Sequence, residues 1–170
     1  MEPQERRLAA ILAADMVGYS RLMECDETGT LARLKTHRLE LIDPTIAKNK
    51  GRIIKTTGDG MLVEFQSVAD AVECAAEIQE RLESLQAEGL HVRIGISAGE
   101  PVTEEGDLFG AAVSLASRVC AHCDPGGILV STAVRELAVG KGFKFIDRGV
   151  AELKGFDEPV RLWSVEQPPA

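Results

Sequence analysis

The sequence has no long apolar run. None of its segments approaches the ~18 consecutive apolar residues of a membrane span, so membrane insertion by this chain is not expected. Positive charge is also short: 19 Lys and Arg stand against 27 Asp and Glu, for a net charge of −8, and no basic face stands out. Binding of nucleic acid by phosphate neutralisation is therefore not expected. A polyanionic ligand would have to be held through metal ions or a few placed cations. The opening stretch MEPQERRLAAILAAD does not read as a signal peptide, because its apolar run is short, follows acidic residues and ends in Asp15. Cysteine is sparse, at Cys25, Cys74, Cys120 and Cys123, and nothing suggests secretion; reduced thiols in a cytoplasmic protein are expected. Cys120-Ala-His122-Cys123 resembles half a zinc site, but structural zinc needs four ligands and no second pair is present. His37, His91 and His122 show no partner spacing. Internal repeats and low-complexity linkers are absent, and 170 residues suit one domain over 1–170 with a core of about 7–165.

What is present is an ordinary globular composition, 45% hydrophobic and 27% charged. RLAAILAADMVGYS predicts a buried strand over about 8–14, with Asp15 at its end. Leu31, Leu34, Ile42 and Ile46 keep helical spacing across 28–47, with Asp43-Pro44 as a disturbance. IIKTTGDGMLVEF, residues 53–65, predicts a tight hairpin with Asp59 at its tip, since Asp-Gly accepts the positive φ of such turns. That carboxylate is either plain turn chemistry or a ligand for a metal or phosphate, and the hairpin alone does not distinguish the two. An amphipathic helix is predicted over 68–85, a strand from 90, a polar loop at VTEEGDLFG and a helix over 109–120. The strand ILVS, a short helix over 134–138 and closing strands over 143–146, 151–153 and 160–165 complete the chain. This order predicts an α+β fold: a ferredoxin-like βαββαβ sheet with helices on one face and extra C-terminal strands.

In such a sheet Asp15 and Asp59 lie at neighbouring strand ends. Paired carboxylates supply the hard oxygen ligands that Mg²⁺ takes in phosphoryl-transfer sites. The segment MVGYS after Asp15 could offer backbone N–H groups to phosphates, with Gly18 permitting close approach.

AADMVGYSRLM, KTTGDGMLVEF, RIGISAGE, GDLFGAAVSLASR, PGGILVS and ELKGFDEPVRLWSV, taken in order, resemble the catalytic domain of class III adenylyl/guanylyl cyclases over about 7–165. The resemblance implies conversion of ATP to 3′,5′-cyclic AMP and pyrophosphate. It implies that Asp15, Asp59 and the Met16 carbonyl hold two Mg²⁺ or Mn²⁺ ions per site, and that Val17, Gly18, Tyr19 and Ser20 meet the phosphates. Lys55 and Asp107 match the pair that selects adenine: a donor for N1 and an acceptor for the exocyclic amine. Arg118 matches the arginine that stabilises charge on the α-phosphate, and Lys154, in a looser alignment, a lysine at the polyphosphate. In VSLASR, Ser114 stands where the family usually has the Asn that orients the ribose. The resemblance further implies a head-to-tail homodimer in which one protomer gives the aspartates and the other Lys55, Asp107, Ser114 and Arg118. The alternative is a catalytically weak or inactive cyclase-like module for dimerisation or nucleotide sensing. A diguanylate-cyclase relative would carry a Gly-Gly-Asp/Glu-Glu-Phe turn, from which TTGDGMLVEF departs.

Overall fold

The computed structural model describes residues 7–17, 23–56, 60–85 and 91–166. Nine strands are described: β1 (Ala9–Val17), β2 (Arg52–Thr56), β3 (Gly60–Phe65), β4 (His91–Gly99), β5 (Val102–Glu104), β6 (Asp107–Phe109), β7 (Ile128–Ser131), β8 (Lys144–Ala151) and β9 (Val160–Glu166). The helices are α1 (Glu27–His37), α2 (Asp43–Lys48), α3 (Val68–Leu85), α4 (Ala111–His122) and α5 (Thr132–Ala138). Seven strands form one sheet in the order β2-β3-β1-β4-β7-β9-β8, and β5 and β6 form a separate pair. The first four of that order are the expected ferredoxin-like core, extended on one side by the C-terminal strands. Among the described residues no helix is long and apolar enough to cross a membrane.

β1 sits between β3 and β4, antiparallel to both, and is buried on both faces. Its even residues Ala10 and Leu12 join the larger core with Phe65, Val72, Ile78 and Ile94. Its odd residues Ala9, Ile11 and Ala13 join a second core with Leu108, Ala116 and Cys120. Side chains of a strand alternate between faces, so the two cores lie on opposite sides of the sheet. Helices therefore cover both faces, with α3 on one and α4 on the other, which corrects the expectation of helices on one face. The reason lies in β4. Its odd row reads Arg93, Gly95, Ser97 and Gly99, which in sequence looks like a thin solvent face. Instead those small residues admit α4 closely. A Cβ on Gly95 would stand 2.3 Å from the Cys120 backbone nitrogen, and one on Gly99 would stand 2.8 Å from the Ala112 Cβ. Ser97 Oγ donates to the Ala112 carbonyl.

Four further departures have local causes. The expected helix over 28–47 is broken by a π-helical turn, Arg38–Ile42, ahead of α2. Pro44 enters at the first turn of α2; its missing N–H and its ring disfavour an unbroken α-helix across that point. The polar loop VTEEGDLFG is a small hairpin, β5-β6, because Glu105 and Gly106 take φ of 51° and 81°, the positive values of a two-residue hairpin turn. The strands expected at 143–146 and 151–153 are one strand, β8, with a register shift between Asp147 and Val150. β1 runs to Val17, so Asp15, Met16 and Val17 are strand residues rather than the start of a loop.

Elsewhere the expected helices hold, with ends displaced by a few residues. Ser67 Oγ accepts from the Asp70 N–H at 3.2 Å to cap α3. Buried Gln79 donates from Nε2 to the carbonyls of Val92 at 2.8 Å and Gly127 at 2.9 Å, tying α3 to β4 and to the turn before β7. Burial pushes the Cys74 and Cys120 thiols up to about 12. It also raises Cys123, while Cys25 is exposed.

The close seating of α4 is testable. Gly95→Val forces a branched side chain against the α4 backbone, and overpacking of this kind costs roughly 1–3 kcal/mol. Urea unfolding should show an unfolding free energy lower by that amount, with a lower midpoint; unchanged values would mean that α4 can move away freely.

Candidate active site

Asp15 continues the odd row of β1 beyond Ala13, so it emerges on the α4 face where the second core ends. Its register partners are Gly60 on β3 and Arg93 on β4. Arg93 grips it with two parallel bonds: Nε donates to Oδ1 at 2.8 Å and Nη2 to Oδ2 at 2.6 Å. A third donor, Nη1, reaches the Ala121 carbonyl at 3.2 Å, at the electronegative end of α4. Both side chains are 28% exposed. The Asp15 carboxylate raises the Arg93 guanidinium above its ordinary value, chiefly through this hydrogen bond. Sequence reading assigned Arg93 no role. The available signal was a charge in the middle of the apolar strand HVRIGIS, since a charged residue on a half-covered strand usually has a partner.

Lys55 and Asp107 are brought together from residues 52 apart: Nζ lies 3.2 Å from Oδ2. Two local devices do this. A register shift between Ile53 and Lys55 turns the end of β2, and the β5-β6 hairpin fixes the start of β6, where Asp107 pairs with Glu104. The Asp107 carboxyl is held below the ordinary carboxylate range, first by the Leu108 N–H donating to Oδ1 at 2.8 Å and then by Lys55, while burial works the other way. It therefore stays an anion through mild acid and loses its charge only as pH falls through that lowered value.

A cleft of about 280 Å³ opens between the sheet and α4, with Ala13, Asp15, Lys55, Met61, Val113 and Ser117 on its walls. Asp15 and Lys55 of one protomer thus share one opening. Ser114 and Arg118, four apart on α4, are exposed and do not line this cleft. Lys154 is exposed in the turn between β8 and β9. Val17 pairs with His91 inside the sheet. Asp59, Gly18, Tyr19 and Ser20 lie outside the described residues. In sequence Asp59 immediately precedes Gly60, and Gly60 is the register partner of Asp15. Among the described residues no three His, Cys, Asp or Glu side chains converge as ligands of one ion. The donors available at this strand end, Asp15 and the adjoining backbone, are hard oxygens of the type that Mg²⁺ and Mn²⁺ take. Cys120 and Cys123 are of another kind: buried thiols whose Sγ atoms bond to the Arg93 and Asp124 carbonyls, each at 3.4 Å.

The family description "Adenylate and Guanylate cyclase catalytic domain" matches residues 1–167. The chain belongs to the adenylate and guanylate cyclase catalytic domain family. A crystal structure of an adenylate/guanylate cyclase/hydrolase from Silicibacter pomeroyi is similar to this cyclase domain with a TM-score of 0.90 and 46% identity, covering 98% of this chain and 100% of that one. A Rhizobium meliloti protein with a provisional adenylate cyclase name is 42% identical over 96% of this chain and 29% of its own length. A Mycobacterium tuberculosis protein named a pH-sensitive adenylate cyclase is 31% identical over 95% of this chain and 41% of its own length. The cyclase domain thus spans less than half the length of these two relatives.

The Asp107 environment can be read directly by NMR. In the wild-type cyclase domain its carboxyl should titrate below the ordinary range. In Lys55→Met it should move up yet remain below that range, because the Leu108 N–H bond persists. A return to the full ordinary value would mean that Lys55, and not the backbone, dominates.

Proposed function

We propose that this chain is an adenylyl cyclase domain, converting ATP to 3′,5′-cyclic AMP and pyrophosphate in sites shared by two copies. The observation that carries the adenine reading is the Lys55–Asp107 pair at 3.2 Å. It presents a donor and an acceptor side by side, as adenine presents its N1 acceptor beside its amine. Guanine has the reverse pattern and would leave both groups mispaired, which is how polar sites reject near-isosteres.

Asp15, Asp59 and the Met16 carbonyl would hold two Mg²⁺ or Mn²⁺ ions. When bound, these supply a lowered pKa at the ribose 3′-hydroxyl and charge neutralisation on the triphosphate. The chain's own groups do the rest. Backbone N–H groups over 17–20 hold the phosphates, and Lys154 meets the far end of the polyphosphate. Arg118 faces the charge that grows on the α-phosphate as the 3′-oxygen attacks and pyrophosphate leaves. Ser114 contacts the ribose with a shorter group than the usual Asn.

The exposed positions of Ser114 and Arg118, away from their own chain's cleft, support a division of labour. They would serve the aspartates of a second copy packed head to tail, giving two equivalent sites in a symmetric homodimer. Ser114 is also the observation that favours a second reading, a cyclase-like module of little or no activity that dimerises or senses nucleotide.

Assay of the purified chain with ATP and GTP, each with Mg²⁺ and Mn²⁺, separates these readings. The proposal expects cyclic AMP from ATP, dependent on the metal, and a loss of more than about 100-fold in Asp15→Ala, since metal-held charge is worth several kcal/mol of barrier. Absence of any cyclic nucleotide supports the second reading. An active Asp15→Ala protein, or a preference for GTP, contradicts the first.

A further inference from the structure

The Asp15–Arg93 pair has a consequence for metal binding that rests on the proposed metal role of Asp15. A carboxylate has two oxygens and about four lone-pair positions. One guanidinium already engages both oxygens, at 2.8 and 2.6 Å, in the fork geometry that makes Arg–carboxylate pairs among the strongest charge-assisted contacts. The pair is half-buried, so the charge of Asp15 is compensated in place and screened weakly by solvent. A divalent ion approaching the same oxygens meets a fixed positive charge within a few ångströms. It cannot bind without pushing the guanidinium aside or sharing the carboxylate with it against cation–cation repulsion. Arg93 does not lose its proton at any working pH, so no change of pH within that range removes this competitor.

We propose that Arg93 is a built-in competitor for the divalent ion at Asp15. It is a positioning residue that satisfies the carboxylate when no ion is bound, and its displacement sets the ion concentration at which the site fills. The Ala121 carbonyl is what keeps the guanidinium near once displaced. It accepts from Nη1 at 3.2 Å, independently of the two bonds to Asp15, and so anchors the side chain to the end of α4. The competition is therefore reversible: loss of the ion returns the fork to the carboxylate.

The test is Mn²⁺ binding to the nucleotide-free full chain, followed by the EPR signal of free Mn²⁺, for wild type, Arg93→Gln, Arg93→Lys and Asp15→Asn. Removing a charge-assisted competitor should tighten Mn²⁺ binding in Arg93→Gln by about tenfold or more, the scale of one such bond. Lysine, a point charge without the fork, should give an affinity between glutamine and arginine; this variant also carries the test if the glutamine protein does not fold. A role that is merely structural would lower or leave unchanged the affinity, since a disordered site binds no better. Equal or weaker Mn²⁺ binding in both Arg93 variants, with binding lost in Asp15→Asn, overturns the competition while leaving Asp15 as the ion's ligand. Binding that is the same in wild type and Asp15→Asn overturns the metal role of Asp15, and the competition with it.

Discussion

The site depends on one constraint, the burial of β1 on both faces. A strand so placed must spend its even residues on one core and its odd residues on the other, and Ala10 and Leu12 against Ile11 and Ala13 do so. The odd row then carries Asp15 out onto the α4 face: a slip of one residue would turn the carboxylate to the α3 face and exchange the residues of the two cores. The same alternation in β4 delivers Arg93 to the position opposite Asp15. Packing thus fixes the meeting of these two charges, and their attraction follows from it rather than directing it.

Charge is distributed around this frame with little redundancy. The chain is acidic overall, yet each carboxylate identified at the site among the described residues has a cation on it: Arg93 on Asp15 and Lys55 on Asp107. The two pairs differ in character. The first is half-buried and bidentate, and breaking it leaves an uncompensated charge in a poorly solvated place. The second is open to solvent, with the Lys55 side chain 50% exposed, so its Coulomb attraction is weak and its groups can part to meet a ligand. Asp15 is thus held firmly by two bonds, while Lys55 and Asp107 are held by a single exposed contact.

Much of this was legible in the sequence, and the failures share a cause. Lys55 and Asp107 could be named as a pair only through the family resemblance, because no periodicity links residues on different elements. The place of Asp15 at the end of a buried strand was legible from the strand signal. Arg93 was not, because its importance lies in a register that exists only once β1 and β4 pair. The alternation of HVRIGISAG signalled a strand but not that a helix lies against Gly95 and Gly99. The β5-β6 hairpin was hidden by its polarity: its strands are three residues each, too short for an alternation to show. In each case a tertiary neighbour supplies the meaning that the local pattern lacks.

The central claim is that a complete site needs two copies of this chain, one giving Asp15 and Asp59 and the other Lys55, Asp107 and Arg118. Its most direct test is to mix two inactive proteins, Asp59→Ala and Arg118→Ala, under conditions where subunit exchange is verified. Random exchange makes about half the dimers mixed, and each mixed dimer has one whole site of two, so roughly a quarter of wild-type cyclic AMP production should return if sites act independently. No recovery after verified exchange would place all the functional groups within one chain and contradict the account.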